Sequence, residues 1–293
     1  MTQYSNPAFL ETLAKKVQQE LITAGIKAKV DLFPTKSGPR NGAYSILGNR
    51  HIITGSTPQD LQQFYAKSLP CDDNKKNILG TKFLDLGRLM TGIHEAAHAV
   101  DYKLGYSIQM HELVSKAETF KGTGKLTDGQ AANAFFARYG IMSANIRESF
   151  ADATAAKYLL TKFGNDPDVA QFIQDRATFR EGAKDAHSHQ TQAMLREVLA
   201  DWRANPKINP DYTLTAAAAD TASLMDQQRL AIVADNISRG IVFPEKTGKK
   251  NNVGDHGTEF ILDHNIIGTP PTPAVRKEKK AIAGQRAKEQ LCQ

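Results

Sequence analysis

The sequence has little of what marks a disulfide-rich, membrane-spanning or exported protein. It contains two cysteines in 293 residues, Cys71 and Cys292, which lie far apart and show neither disulfide-framework nor metal-ligand spacing. No apolar run is long enough to span a bilayer, and the N-terminus has no apolar signal-peptide core. We therefore expect a protein that has no membrane segment and is synthesised in the cytoplasm without a cleaved signal peptide.

The sequence also lacks a strong charge of one sign. Lys and Arg number 37 against 31 Asp and Glu, and much of the resulting charge of +6 lies in the C-terminal stretch "RKEKKAIAGQRAKEQLCQ". No basic stripe interleaved with aromatic residues occurs elsewhere, so we expect no nucleic-acid partner. A basic-tail scaffold protein remains an alternative, and it predicts an activity that survives loss of metal but not loss of the residues after Pro273.

The hydrophobic pattern predicts a small N-terminal sheet followed by a helical body. An amphipathic helix precedes the strand pattern "IKAKVDLF", and "AYSIL" and "RHIITG" flank a Gly-Asn turn that is typical of a hairpin. After the stretch "DDNKKN", which we interpret as a surface loop, helical spacing dominates from about Phe83 onward. The predicted fold class is α+β, predominantly α.

The same pattern predicts one folded domain and a tail. The domain covers residues 1–268, with the first helix and the sheet in 1–82, metal-binding helices in 83–164 and a helical lobe in 165–268. Residues 269–293, which begin just before a proline cluster, are predicted to form a basic and disordered C-terminal tail.

The stretch "TGIHEAAHAVDY" contains the pattern His-Glu-x-x-His. Residues four apart share one face of a helix, so His94 and His98 can direct both imidazoles at one point, with Glu95 placed to hold a water molecule. The flanking residues are apolar, and buried polar groups cost several kcal/mol unless a partner such as a divalent cation compensates them. We predict one Zn²⁺ per chain at this helix; a solvated helix turn with two histidines is the alternative.

A zinc hydrolase needs a third protein ligand. Leu104 and Asp101 stand where the longer "HExxHxxGxxH" pattern requires histidine and glycine, which excludes that version. The stretch "NIRESFADATAAKY" carries Glu148 as the candidate third ligand and Asp152, four residues on, as an acceptor for the outer N–H of a ligand histidine. A plain ion pair is the alternative role for these carboxylates, and Glu112 is the rival third ligand.

The motifs "HEAAHAVDYKLG" and "ESFADA" together resemble the catalytic region of the anthrax lethal factor group of zinc endopeptidases. The interval from His94 to Glu148 is 148 − 94 = 54 residues, close to that group, and the resemblance covers residues 89–158, about a quarter of the chain. It implies a zincin-like metalloprotease fold, zinc bound by His94, His98 and Glu148, and Glu95 as general base.

This sequence departs from that group at the residue that stabilises the oxyanion. The group has a tyrosine seven residues before the third ligand, whereas position 141 is Ile141; Tyr139 lies two residues earlier and could serve instead, or could be a helix-end aromatic. The second candidate is His187 or His189 in "DAHSHQTQ". The alternative for this stretch is that Ser188 caps the next helix and both histidines are solvated.

The resemblance implies a zinc-dependent endopeptidase that binds its protein substrate as an extended strand at a sheet edge, for which "RHIITG" is the candidate edge strand. A catalytically inactive zincin-like binding module is the alternative, although the intact Glu95 argues against it. With no leader and a charged tail, the chain also resembles bacterial effectors translocated into a host cell.

The remaining histidines have no ligand spacing and are expected to be structural or exposed: His51, His111, His256 and His264.

Overall fold

The computed structural model describes residues 3–36, 42–47, 49–68, 73–110, 146–182 and 191–238, together with residue 285. These residues form one small sheet and a predominantly helical body, which confirms the predicted α+β class. The strands are β1 (Ala28–Asp31), β2 (Ala43–Leu47) and β3 (Arg50–Thr54). The helices are α1 (Pro7–Thr23), α2 (Pro58–Ser68), α3 (Asp73–Leu104), α4 (Ile146–Phe163), α5 (Pro167–Gly182), α6 (Gln192–Ala204) and α7 (Leu214–Ser238).

The sheet has the strand order β1-β3-β2. β2 and β3 form the predicted antiparallel hairpin, with Leu47 opposite Arg50, and β1 pairs with β3 in parallel. The prediction that "RHIITG" is the edge strand is wrong, because β1 occupies the side of β3 that the hairpin leaves open. On the far side of β1, the Val30 N–H donates to Gln18 Oε1 of α1 at 3.4 Å. The sheet has two edge strands, β1 and β2, and within the described residues α1 packs against β1, which makes β2 the more open edge.

One face of this sheet packs on α3 and the other is exposed. Tyr44 and His51 share the inner face with Ile53, which is fully buried in the core. Lys29 and Ser45 lie on the outer face and are exposed. The alternation of burial is regular in β1, where Ala28 and Val30 are half-buried and Lys29 and Asp31 are exposed, as expected for a sheet covered on one side.

Helix α3 is longer than predicted. It begins at Asp73 rather than near Phe83, so the prediction of a loop at "DDNKKN" is wrong, and one helix crosses the predicted boundary between residues 82 and 83. The polar residues there are compatible with a helix, and no proline interrupts the chain from Asp73 to Leu104. The predicted end is confirmed: Gly105 has φ +70° and its N–H donates to the Asp101 carbonyl at 2.7 Å.

Helix α4 is the centre of the helical body, with α3, α6 and α7 all packed against it. Its small side chains allow this close approach from several sides. The buried alanines of α4 are Ala151, Ala153, Ala155 and Ala156. Among the helices of the described ranges, none combines the length and the apolar composition that a bilayer-spanning segment needs.

The predicted helices of the C-terminal half are present as α5, α6 and α7. Thr191, rather than Ser188, is the N-cap residue of α6, because that helix begins only at Gln192. The helices predicted for "MHELVSKAETF" and "LTDGQAANAFFARYG" lie outside the described residues. So does the predicted tail, residues 269–293, except for its residue 285.

Candidate metal centre

Three of the predicted ligands converge between α3 and α4. His94 and His98 lie one turn apart on α3, and Glu148 lies in the first turn of α4. Their ligand atoms all fall within 4.8 Å of one another. Nε2 of His94 is 3.2 Å from Glu148 Oε2, and Nε2 of His98 is 3.6 Å from Glu148 Oε1. Side chains that are 54 residues apart in sequence therefore surround a single point.

The separations of these atoms fit a tetrahedral cation site. Bonds of about 2.0–2.2 Å at tetrahedral angles separate the ligand atoms of zinc by about 3.3–3.6 Å. The two distances to Glu148, 3.2 and 3.6 Å, are close to that range and involve the two different oxygens of its carboxylate. Both imidazoles are buried, whereas 26% of the Glu148 side chain is exposed, so the cluster reaches solvent at Glu148.

Asp152 holds the outer nitrogen of the first ligand. Its Oδ1 lies 2.8 Å from His94 Nδ1, the contact that the four-residue spacing on α4 predicted. Asp152 is completely buried, and its Oδ2 accepts a hydrogen bond from Thr191 Oγ1 at 2.5 Å and lies 3.2 Å from an Arg180 nitrogen. A second guanidinium, that of Arg176, lies 3.9 Å from Oδ1. The carboxylate therefore joins α4 to α5 and to the start of α6.

The charges at this centre favour a cation. Burial alone lowers the pKa of His94, but Asp152, Glu148 and Glu95 outweigh it and raise that pKa to about 10. For His98, burial and the charge of His94 lower the pKa to about 3. Burial also acts to raise the pKa of Asp152, but Arg180 and His94 hold it well below its usual range. At neutral pH a proton on His94 therefore balances the negative charge of Asp152 and Glu148.

Glu95 lies on the same turn of α3 and its carboxylate reaches the start of β2. The contact is close: a Cβ atom added at Gly42 would lie 2.9 Å from Glu95 Oε1 and 2.8 Å from Thr91 Cγ2. Gly42 has φ +73°, a conformation that glycine adopts without strain. The glycine thus leaves room for the Glu95 carboxylate between α3 and the start of β2.

Two sets of residues around this centre escaped sequence reasoning. The first comprises Arg176, Arg180 and Thr191, which surround Asp152. The two arginines are four residues apart on α5, and this repetition of the ligand spacing is a signal that could have identified them. Thr191 gave no such signal, because Ser188 was the residue considered as the cap of this helix.

The second set is Tyr44 and His51 from the β2–β3 hairpin. The Tyr44 ring lies 5.9 Å from the His98 ring, and the Tyr44 hydroxyl lies 2.9 Å from His51 Nδ1. His51 was expected to be structural or exposed, and it has structural contacts with Tyr44 and with Tyr102 beside the candidate centre. No spacing in the sequence indicates this, because strand pairing creates the contact.

The candidates for oxyanion stabilisation cannot be compared by position. Tyr139, His187 and His189 lie outside the described residues, as does Glu112, the rival third ligand. No protein-family model matches this chain, and neither a curated protein nor a solved structure matches it. The candidate site therefore stands on the chemistry and the geometry of its own residues.

Proposed function

We propose that this protein is a zinc-dependent endopeptidase with a zincin-like fold. The observation that carries the proposal is the convergence of His94, His98 and Glu148 within 4.8 Å, with Glu95 on the adjacent helix position. Two imidazoles and one carboxylate are a ligand set that suits zinc and leaves a coordination position open. A purely structural site would fill that position with a fourth protein ligand.

In the proposed reaction, Zn²⁺ supplies a Lewis acid that polarises the peptide carbonyl and makes water acidic near neutral pH. Glu95 accepts the proton of the attacking water and later donates it to the leaving amine, so the carboxylate ends each cycle unprotonated. Asp152 accepts the Nδ1 proton of His94 and keeps Nε2 directed toward Glu148. Tyr139 or a histidine of the pair His187/His189 donates to the oxyanion.

We propose β2, rather than β3, as the strand to which an extended protein substrate adds. β2 is the more open edge of the described sheet, and its first residues approach Glu95 through Gly42. A peptide that pairs with this edge gains main-chain hydrogen bonds along the strand. A substrate bound in this way would place one of its backbone carbonyls near the start of β2, where Glu95, the proposed general base, lies.

Elemental analysis and a protease assay of matched variants test the proposal. Wild-type protein should carry one zinc per chain, and His98→Ala and Glu148→Ala should lose both metal and activity. Glu95→Gln should keep the metal, since Glu95 is not among the ligands, and should lose about 10²–10⁴-fold in kcat. Removing the metal with a chelator and restoring it should switch wild-type activity off and on.

Two results would reject this function. A pure wild-type preparation that neither carries nor takes up a divalent ion excludes the metal centre. Metal binding that depends on His98 and Glu148 without any hydrolysis of peptide libraries by wild-type protein would instead favour the inactive zincin-like binding module.

A further inference from the structure

The two ligand histidines are held in different ways. Nδ1 of His94 has a buried carboxylate partner, Asp152, at 2.8 Å. Nδ1 of His98 is also buried, yet among the residues that the structure describes it has no hydrogen-bond partner. The outer nitrogen of a metal-bound histidine normally donates to such a partner, which fixes the orientation of the ring. Within the described part of the chain, the orientation of the His98 ring therefore depends on a different contact.

The neighbour of His98 in this role is an aromatic side chain from the sheet. The ring of Tyr44 lies beside the imidazole, with 5.9 Å between centroids and 31° between planes. Rotation of an imidazole about χ2 has a broad energy profile, so packing against a flat ring can select one orientation where no hydrogen bond does.

Tyr44 is itself fixed by the hairpin. Its hydroxyl lies 2.9 Å from His51 Nδ1, and the two rings stack at 5.8 Å with 25° between planes. They are diagonal neighbours on one sheet face, since Tyr44 is opposite Ile53 and His51 is two residues before it. Burial raises the pKa of Tyr44 to about 12, so the phenol keeps its proton at neutral pH.

The contacts form a closed group that begins and ends on α3. His51 meets the edge of the Tyr102 ring at 5.4 Å, and Tyr102 lies one turn after His98 on the same helix face. We define the hairpin clamp as Tyr44 and His51. The clamp contacts α3 at two successive turns: Tyr44 contacts His98, and His51 contacts Tyr102.

We propose that the hairpin clamp is the positioning device for the metal ligand His98, with Tyr44 making the contact and His51 holding Tyr44 in place. The proposal rests on the proposed metal centre at His94, His98 and Glu148. Under this proposal the two imidazoles are oriented in different ways: His94 by its hydrogen bond to the buried Asp152, and His98 by packing against Tyr44 of β2.

The test measures metal affinity rather than turnover. Metal-free wild type, Tyr44→Phe and Tyr44→Leu are titrated with Zn²⁺ against a chromophoric chelator, and each is loaded with Co²⁺ for its d–d absorption spectrum. Tyr44→Leu should bind Zn²⁺ about tenfold more weakly, at the lower end of the range for partners that orient ligands, and should change the Co²⁺ spectrum. Tyr44→Phe keeps the ring and should stay within about threefold of wild type in affinity.

Leu47→Ala is the matched control, because it removes apolar bulk from the same strand on the outer face, where the side chain is 75% exposed. It should leave both readouts unchanged. Equal affinity and an unaltered Co²⁺ spectrum for Tyr44→Leu would overturn the clamp. If Tyr44→Leu fails to fold, His51→Ala provides the second test: it removes both the hydrogen bond to the Tyr44 hydroxyl and the ring stacked on Tyr44, and a wild-type spectrum would deny that His51 holds Tyr44.

Failure of the clamp and failure of the metal centre give different results. Wild-type protein that takes up no metal removes the proposed function and the clamp together. Wild-type binding that His98→Ala abolishes and Tyr44→Leu leaves intact removes the clamp alone.

Discussion

The hydroxyl of Thr191 donates a 2.5 Å hydrogen bond to Oδ2 of Asp152, the carboxylate whose other oxygen holds His94. Thr191 is the N-cap residue of α6, but its side chain makes no capping hydrogen bond. The hydroxyl therefore donates to Asp152 at the candidate metal centre and does not cap its own helix. Through it, the orientation of a proposed ligand depends on where α6 begins.

Removing this hydroxyl should weaken both the fold and the centre. Thr191→Val keeps the shape of the side chain and leaves the buried Oδ2 of Asp152 short of one donor, which should cost about 1–3 kcal/mol of unfolding free energy. Urea denaturation of the metal-free protein measures this loss. Thr191→Ser retains the donor and serves as control; equal losses in both variants would show that the hydrogen bond is not responsible.

Asp152 should be among the most costly positions to change. Asp152→Ala leaves the buried guanidiniums of Arg176 and Arg180 without this counter-charge and should destabilise the protein by about 3–5 kcal/mol. Asp201→Ala breaks the more exposed pair with Lys157 and should cost less than about 1 kcal/mol. Similar losses for the two variants, measured by chemical denaturation, would contradict the buried network.

A methyl group at Gly42 should impair catalysis without removing the metal. Gly42→Ala places a Cβ atom 2.9 Å from Glu95 Oε1, so the carboxylate must move, and we expect kcat to fall by at least about tenfold with metal content unchanged. Gly25→Ala is the matched control. Its φ is +77°, close to that of Gly42, but the nearest atom to its new Cβ is Lys103 Nζ at 4.0 Å. Equal activity losses in the two variants would assign the effect to backbone strain.

The stability of the metal-free protein should fall as the pH rises from 6.5 toward 10. The pKa of His94 is raised from 6.5 to about 10 in the folded protein, because Asp152, Glu148 and Glu95 outweigh the effect of burial. The folded state therefore binds this proton more tightly than the unfolded state, and the stabilisation is complete below pH 6.5 and lost by about pH 10. Unfolding of chelator-treated protein across this range measures the slope.

Metal should reverse the sign of that slope, since zinc and the proton compete for Nε2 of His94. Saturating zinc should protect the fold more strongly as the pH rises from 6 toward 8. His94→Gln removes the titrating group, and its metal-free protein should lose the His94 contribution to the slope. A wild-type slope that this substitution leaves unchanged would assign the pH dependence to another group.

Local spacing was enough to predict much of the candidate centre. His94 and His98, four residues apart in an apolar helix, had to share a face, and the same held for Glu148 and Asp152. The hairpin was also predictable, because its Gly-Asn turn and the alternation in both strands are local features. The start of α3 was not, since polar residues at a helix start look like those of a surface loop.

The sequence by itself determined which residues share a face of a helix or a strand, because backbone geometry sets those periods over a few residues. Only the tertiary structure decided which faces meet. β3 pairs with β1 as well as with β2 and is therefore the central strand, Arg180 and Thr191 contact Asp152 from two other helices, and Tyr44 lies beside His98. These contacts depend on how the whole chain buries its apolar surface, and that choice is not encoded in any single stretch.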